Sequence, residues 1–178
     1  MKPTYILILF VVSFTFSCVN NTHVQDKTSN PGNQTPGKPT GNFAGIPEET
    51  RDYYSWLKIN ATPIPPAANA PHTPSNGNKN IFVNQAREIL VKSGQQVFPY
   101  PDKSIIVKEA LNKEKNYVEL IAIMKKIAGK DPQHNDWEFT EYTRNSPNDA
   151  FRLSAKDGIC WSCHVGAKET DYVFEKLK

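Results

Sequence analysis

The chain has 178 residues and a formal net charge of +3, with 38% hydrophobic and 22% charged residues. This composition suits one modest domain with unstructured extensions, and it excludes a polytopic membrane protein, a collagen-like chain and a wholly disordered chain. The 21 basic residues nearly balance the 18 acidic ones, so we expect no nucleic-acid partner.

The first 18 residues have the features of an export signal. Lys2 precedes an apolar run over residues 5–16, which is too short to cross a bilayer core as a helix. Cys18 follows a small residue at the end of this run and resembles the lipidated cysteine of bacterial lipoproteins. We predict a lipoprotein-type signal peptide over 1–18, with lipid on Cys18 holding the protein at the periplasmic or cell-surface side of a membrane. Plain secretion as a soluble protein is the alternative.

The next segment differs in composition from the rest of the chain. Residues 19–45 are rich in Asn, Thr, Gln, Gly and Pro, and such a segment cannot bury enough apolar surface to order itself. We predict a disordered tether there and a single folded domain over 46–178. At the start of that domain, Pro47 and two glutamates predict a short amphipathic helix that carries Tyr53. Five prolines within 61–80 predict a long loop.

The middle of the domain alternates between strand and helix signals. Residues 81–83 predict a brief strand, and Asn84 is a plausible N-cap for a helix over 85–93 that ends at Gly94. Residues 105–111 are rich in branched side chains and predict another strand.

Alternation along that strand places Lys108 on the same face as Ile106 and Ala110. Residues 117–128 fit either a helical stripe or a buried strand, and residues 137–142 alternate aromatic and polar side chains as a half-exposed strand does. Antiparallel pairing is the simplest arrangement of these strands.

The sequence Cys160-Trp161-Ser162-Cys163-His164 is the Cys-x-x-Cys-His signature of covalent c-type haem attachment. On a helical turn the thiols of Cys160 and Cys163 project to one side and can form thioethers, and His164 can bind the iron. A zinc site would need two further soft ligands, but the remaining cysteine is Cys18. A thioredoxin-like site would need a βαβ pattern, which the sequence lacks.

The sixth coordination position of the iron separates an electron carrier from a ligand-binding haem protein. Met124, His72 and His134 are the candidate ligands in the domain. Met124 lies among apolar residues that suit a core, and both histidines lie in loops rich in Pro or Asn. We therefore expect an open sixth position.

Two further stretches resemble the cytochrome P460 family, which includes the cytochromes c′-beta. Ala167 and residues 170–174 (Thr-Asp-Tyr-Val-Phe) are similar to the family's sequence after its haem motif. Residues 98–102 (Phe-Pro-Tyr-Pro-Asp) lead into 105–109 (Ile-Ile-Val-Lys-Glu), similar to the family's turn and Val-Lys-Glu strand, with Lys103 replacing the usual glycine. Weaker similarities occur at Tyr54, Trp56, His72, 82–84, Met124, Lys125 and 136–138.

The resemblance implies an α+β fold, mainly an antiparallel β-sheet flanked by helices, with one covalent, five-coordinate haem c near the C-terminus. It favours a strand over 117–128. In family members that oxidise hydroxylamine, a lysine at the position of Lys108 is cross-linked to the porphyrin. The alternative for Lys108 is an ordinary strand-end lysine whose amine reaches toward water.

Three functions are considered for these features. The first is an oxidoreductase of hydroxylamine or nitric oxide, which needs a distal base and an external electron acceptor. Glu109, Glu119 and Glu138 are available acids, whereas the residue before the haem motif is the apolar Ile159.

The second function is non-enzymatic binding of nitric oxide in an apolar pocket that Phe82 or Phe98 could line. A lipid-tethered electron carrier is a third reading, and it would require Met124 or a histidine as sixth ligand. A homodimer is also consistent with the sequence.

Overall fold

The computed structural model describes residues 39, 41–66, 77–114 and 116–177. The predicted signal peptide with Cys18, most of the predicted tether and His72 lie outside the described residues. Within the described ranges, no helix is both long enough and apolar enough to span a membrane.

An antiparallel β-sheet organises the described part of the domain. In chain order the strands are β1 (Leu57–Lys58), β2 (Lys79–Val83), β3 (Val91–Lys92), β4 (Gln95–Gln96), β5 (Ile105–Leu111), β6 (Val118–Lys126), β7 (Trp137–Thr143) and β8 (Arg152–Lys156). The α-helices among the described residues are α1 (Arg87–Leu90) and α2 (Gly158–His164), and 3-10 turns lie at Glu48–Thr50, Tyr53–Ser55, Pro132–His134 and Val165–Thr170. The large sheet has the order β1-β2-β5-β6-β7-β8, and β3 and β4 form a separate hairpin. The predicted α+β fold with a mainly antiparallel sheet is confirmed.

The central strands form where branched side chains are densest, since such side chains pack well on a pleated surface. β6 resolves the ambiguous segment as a strand, in agreement with the family resemblance. Its register with β5 places Lys108 opposite Ala122, and its register with β7 places Ala122 opposite Glu141. Because directly opposed residues share a face, these three side chains form one row across the sheet.

The sheet separates two apolar clusters. The front cluster, on the face that carries α2, contains Ile59, Ile81, Val83, Leu90, Tyr100, Ile106, Met124, Trp137, Phe139, Tyr172 and Val173. The rear cluster contains Ile46, Tyr53, Phe82, Ile105, Val107, Val118, Ile121, Ile123 and Phe151. Alternate residues of the same strands therefore supply two cores, as the period of two requires.

The helix predicted over 85–93 is much shorter in the structure. It is reduced to α1, and the chain then enters the β3–β4 hairpin, whose turn has Ser93 at φ 52° and Gly94 at φ 77°. Asn84 does not cap the helix. Its side chain instead accepts from the backbone N–H of Ile105 (2.7 Å) and donates to the carbonyl of Lys103 (3.0 Å), which ties β2 to the start of β5.

The helix predicted after Pro47 is replaced by two 3-10 turns, although Tyr53 is fully buried as the amphipathic pattern suggests. The Tyr53 hydroxyl donates to the buried carboxylate of Glu109 on β5. This bond fixes the first turns against the rear face of the sheet.

The turn before β5 places Lys103 in a backbone conformation that favours glycine. Lys103 has φ 64°, in the left-handed region where a Cβ is sterically unfavourable. Its backbone N–H donates to the carbonyl of Lys126 (3.1 Å), so the turn is locked to the end of β6 in spite of this cost.

Candidate haem site

The haem motif forms helix α2, directly after edge strand β8. Asp157, which precedes the helix, anchors it to β7: its carboxylate accepts from the backbone N–H of Phe139 (2.9 Å), and its own N–H donates to the Phe139 carbonyl (3.0 Å). The backbone N–H groups of Cys160 and Trp161 in turn donate to the Asp157 carbonyl. The thiols are therefore held at a fixed position over the front face of the sheet.

A cavity of about 210 Å³ lies between α2, the C-terminal segment and the front face of the sheet. Cys160, Cys163 and His164 all line it. Much of the remaining wall is apolar, formed by Ile64, Ile81, Ile106, Ala122, Ile123, Met124, Phe139, Val173 and Phe174. The polar side chains in the wall are Lys79, Lys108, Thr140, Glu141 and Glu175.

The tautomer of His164 follows from its hydrogen bond. Nδ1 of His164 lies 2.7 Å from the carbonyl oxygen of Tyr172. Since a carbonyl only accepts, Nδ1 carries the proton, and Nε2 is the nitrogen whose lone pair can bind a metal. The ring also contacts Phe139 and Phe174, with centroid distances of 4.6 and 5.3 Å, and these contacts restrict its rotation.

The Cys160 thiol does not have the lowered pKa of a redox-active cysteine. Cys160 and Cys163 are both free in the structure, and burial together with the nearby carboxylates of Glu141 and Asp157 raises the pKa of Cys160 to about 11. Reactive thiols need a lowered pKa, because the thiolate is the nucleophile. In the described residues no group of three or more His, Cys, Asp or Glu side chains could hold a metal ion.

Lys108 lies in the cavity wall together with Ile106, with which the alternation along β5 groups it, and is half-buried there. Burial, and to a smaller extent the nearby charge of Lys79, lower its pKa to about 8, while Glu141 and Cys160 act in the opposite direction. Lys79 is itself 7% exposed, and burial lowers its pKa as well. The cavity wall therefore contains two amines, those of Lys79 and Lys108, whose charged forms are disfavoured by burial.

The described candidates for the sixth ligand are in different environments. Met124 is buried and lines the cavity beside Phe139. His134 does not line the cavity: its ring stacks on Trp161 with a centroid distance of 3.8 Å, and Nδ1 lies 2.8 Å from the Asp131 carboxylate. His72 lies outside the described residues.

The carboxylates considered from the sequence are not in the cavity wall. Glu109 is buried behind the sheet with Tyr53, Glu138 pairs with Lys130 at 3.0 Å, and Glu119 is half-buried on β6. The acids that line the cavity are Glu141 and Glu175, which sequence reasoning did not single out.

Glu141 could have been found from the alternation of β7. It lies two residues after Phe139 and four after Trp137, and both of those side chains belong to the front cluster. Its carboxylate accepts from the hydroxyl of Ser154 on β8 at 3.1 Å.

Neither phenylalanine expected in the distal pocket lines the cavity. Phe82 belongs to the rear cluster, where it packs against Tyr53 with a centroid distance of 5.3 Å. Phe98 packs against Tyr100 at the margin of the front cluster. The aromatic residues in the cavity wall are Phe139 and Phe174, and Ile159 is 69% exposed outside it.

The side chains around the cavity fit a c-type haem. Two thiols three residues apart and an imidazole with the Nε2 lone pair line the same space, which suits two thioether bonds and one axial ligand. The largely apolar remainder of the wall suits the face of a porphyrin.

A comparison with protein families gives an independent result. The sequence model of the family described as Cytochrome P460 matches residues 50–175, which include the sheet, α2 and the C-terminal segment. The comparison with curated proteins found no match. The chain therefore belongs to the cytochrome P460 family and is a haem-binding, iron-binding protein.

Proposed function

We propose that the protein is an exported mono-haem c-type cytochrome with an open distal site, which binds and oxidises small nitrogen species such as hydroxylamine or nitric oxide. Cys160 and Cys163 hold the haem by thioether bonds, and Nε2 of His164 is the proximal iron ligand. The observation that carries this proposal is the convergence of these three side chains on one cavity, with the His164 tautomer set by Tyr172.

When bound, the haem iron supplies the site that coordinates the nitrogen ligand and passes its electrons to an external acceptor. Oxidation of hydroxylamine also releases protons, which need an acceptor close to the ligand. Glu141 suits this role because its carboxylate lies in the cavity wall and is oriented by the Ser154 hydroxyl. The row of Lys108, Ala122 and Glu141 puts the small Ala122 between the two charged side chains, which leaves space in the middle of the row.

Lys108 is the candidate for a covalent bond to the porphyrin edge. Its pKa of about 8 leaves a useful fraction of the amine neutral and nucleophilic near pH 7. Such a bond would perturb the porphyrin electronically and shift its absorption to the red.

A second function, non-enzymatic binding of nitric oxide, is favoured by the apolar cavity wall. Ile81, Ile106, Ala122 and Phe139 offer no hydrogen-bond donor to a ligand, so an uncharged diatomic molecule is better suited to that part of the cavity than an anion. A third function, electron transfer, would need a sixth iron ligand. Of the two candidates that the structure describes, Met124 and His134, only Met124 lines the cavity.

We also propose that lipid on Cys18 holds the protein at the periplasmic or cell-surface side of a bacterial membrane, with secretion as the alternative. Covalent attachment of haem takes place outside the cytoplasm, which agrees with the apolar run over 5–16 before Cys18. The electron acceptor would then be an external protein or small molecule. Assembly as a homodimer remains part of this proposal.

Absorption spectroscopy and turnover of the haem-loaded protein test the proposed activity. We expect a high-spin, five-coordinate iron in the resting protein, and hydroxylamine oxidation that falls about 100-fold or more in Glu141→Gln, the range typical for loss of a general base. Glu138→Gln is the matched control, because Glu138 lies on the same strand but pairs with Lys130 and Lys156. Nitric oxide binding without turnover would favour the second function, and a six-coordinate low-spin spectrum would favour electron transfer.

A further inference from the structure

The segment after the haem motif contains an unusual turn. Asp171 and Tyr172 are consecutive residues with φ 56° and 65°, and neither is glycine. Left-handed backbone is unfavourable for residues with a Cβ, so two in succession persist only where surrounding contacts hold them. This turn orients the Tyr172 carbonyl, which accepts from Nδ1 of His164 at 2.7 Å.

The contacts that hold the turn converge on the Asp171 carboxylate, which is 1% exposed. Its Oδ2 accepts from Nζ of Lys126 and from the backbone N–H of Tyr100, both at 2.7 Å. Its Oδ1 accepts from the side-chain amide of Asn135. Three separate segments of the chain therefore donate to one buried carboxylate, a pattern of charge-assisted hydrogen bonds that resists movement.

The donors are themselves fixed. Lys126 is the last residue of β6, and its backbone N–H donates to the backbone carbonyl of Ser104 at 2.9 Å. Its ammonium lies 5.0 Å from the ring centroid of Trp137. The Tyr172 ring is held separately, because it is buried against Trp161 with a centroid distance of 5.3 Å. The turn is thus connected to the end of β6 and to the segments of Tyr100 and Asn135.

We propose that Asp171 is a positioning residue for the proximal ligand: its buried contacts with Lys126, Tyr100 and Asn135 hold the Tyr172 carbonyl against Nδ1 of His164. A carbonyl that accepts a hydrogen bond from Nδ1 favours partial negative charge on the ring. The Nε2 lone pair therefore binds the iron more strongly. Asp171 thereby sets the strength of the iron–histidine bond and lowers the reduction potential of the haem. This inference rests on the proposed role of His164 as the iron ligand.

The test compares haem-loaded wild type with Asp171→Asn, which keeps the shape of the side chain but removes its charge. Resonance Raman spectroscopy of the ferrous protein measures the iron–histidine stretching band, and redox titration measures the midpoint potential. We expect the band to move to lower frequency and the potential to rise in Asp171→Asn.

Two further variants separate positioning from a general loss of stability. Asn135→Gly removes one contact to Asp171 at a position with φ 57°, which glycine adopts easily, so it should fold and show a smaller shift in the same direction. Glu49→Gln breaks the exposed ion pair with Lys125 and should leave the band and the potential unchanged. If all variants fold, carry equal haem and have the wild-type band and potential, the inference is wrong.

Absence of covalent haem would instead contradict the proposed function, and it is measured separately from the haem content of the denatured protein. In that case nitrogen-15 shifts of His164 decide the inference. The inference is supported if the proton lies on Nδ1 in wild type and is shared between Nδ1 and Nε2 in Asp171→Asn. It is overturned if both proteins have the same tautomer.

Discussion

The proposed cross-link between Lys108 and the porphyrin should form at a rate that depends on pH in a predictable way. Forming a bond from Nζ to a porphyrin carbon removes one hydrogen from each partner, so two protons and two electrons must leave. Peroxide can accept both electrons and is reduced to water. The neutral amine is the reactive form, and its fraction is set by the pKa of Lys108.

The expected size of the effect follows from that pKa, which burial and the charge of Lys79 lower to about 8. At pH 7 roughly one amine in ten is then neutral, against roughly one in 3,000 for an ordinary lysine. The rate should rise about tenfold from pH 6 to pH 7 and level off above pH 8 to 9. Lys79→Met removes a neighbouring positive charge, so the pKa of Lys108 should rise and the rate at pH 7 should fall, with the same plateau at high pH.

The assay follows the red-shifted absorption after peroxide is added to the haem-loaded protein, together with the intact mass, which falls by two hydrogens. Lys92→Met is the control, since Lys92 is exposed on the β3–β4 hairpin and does not line the cavity. A rate that does not change between pH 6 and pH 8 would refute this reasoning. An unshifted spectrum with no mass change in wild type would remove the cross-link altogether and favour the gas-binding function.

The remaining predictions concern haem attachment, anchoring and stability. Replacing Cys160 and Cys163 with alanine should abolish covalent haem, so that acidified organic solvent extracts any haem left in the denatured protein. Cys18→Ala should leave haem loading intact and move the protein from the membrane fraction to the soluble fraction, and recovery of wild type as a soluble protein without lipid mass would contradict the anchor. Lys103→Gly should stabilise the domain by about 0.5–1 kcal/mol, because glycine accepts φ 64° but loses more backbone entropy on folding. Thermal unfolding should show a rise of about 2–4 °C, while Lys103→Ala, which keeps the Cβ, should stay near wild type.

The sequence predicted the central strands well because their signals are local. β5 and β7 carry branched or alternating side chains over seven residues each, and the residues that contact each other across them are specified by the same period of two. Period two also placed Lys108 on the same face as Ile106, and both line the cavity. The haem motif could also be identified from the sequence, because the spacing of its two cysteines and its histidine is set by one helical turn.

Features that depend on contacts between distant segments were not predictable in the same way. The segment 81–83 is apolar throughout, so its sequence gives no indication that Phe82 faces the rear cluster while Ile81 and Val83 face the front. Asn84 is a residue type that commonly caps helices. Its side chain instead forms a hydrogen bond with the turn before β5, which is nearly 20 residues away. Asp171 gave no local signal of its role, because all three of its donors come from other parts of the chain.

The division of the sheet into two clusters has a consequence for the order in which the protein matures. Most of the rear cluster, including the fully buried Tyr53, Val107 and Ile121, lies outside the cavity wall and packs against other protein side chains. The front cluster borders the cavity in which we propose that haem binds. Folding of the rear side alone can therefore align β5, β6 and β7. Of these, β7 is the strand to which Asp157 anchors α2. Attachment of haem would then complete a half-formed domain rather than start its folding, and chains that await the cofactor would keep a solvent-accessible haem motif beside a sheet that is already assembled.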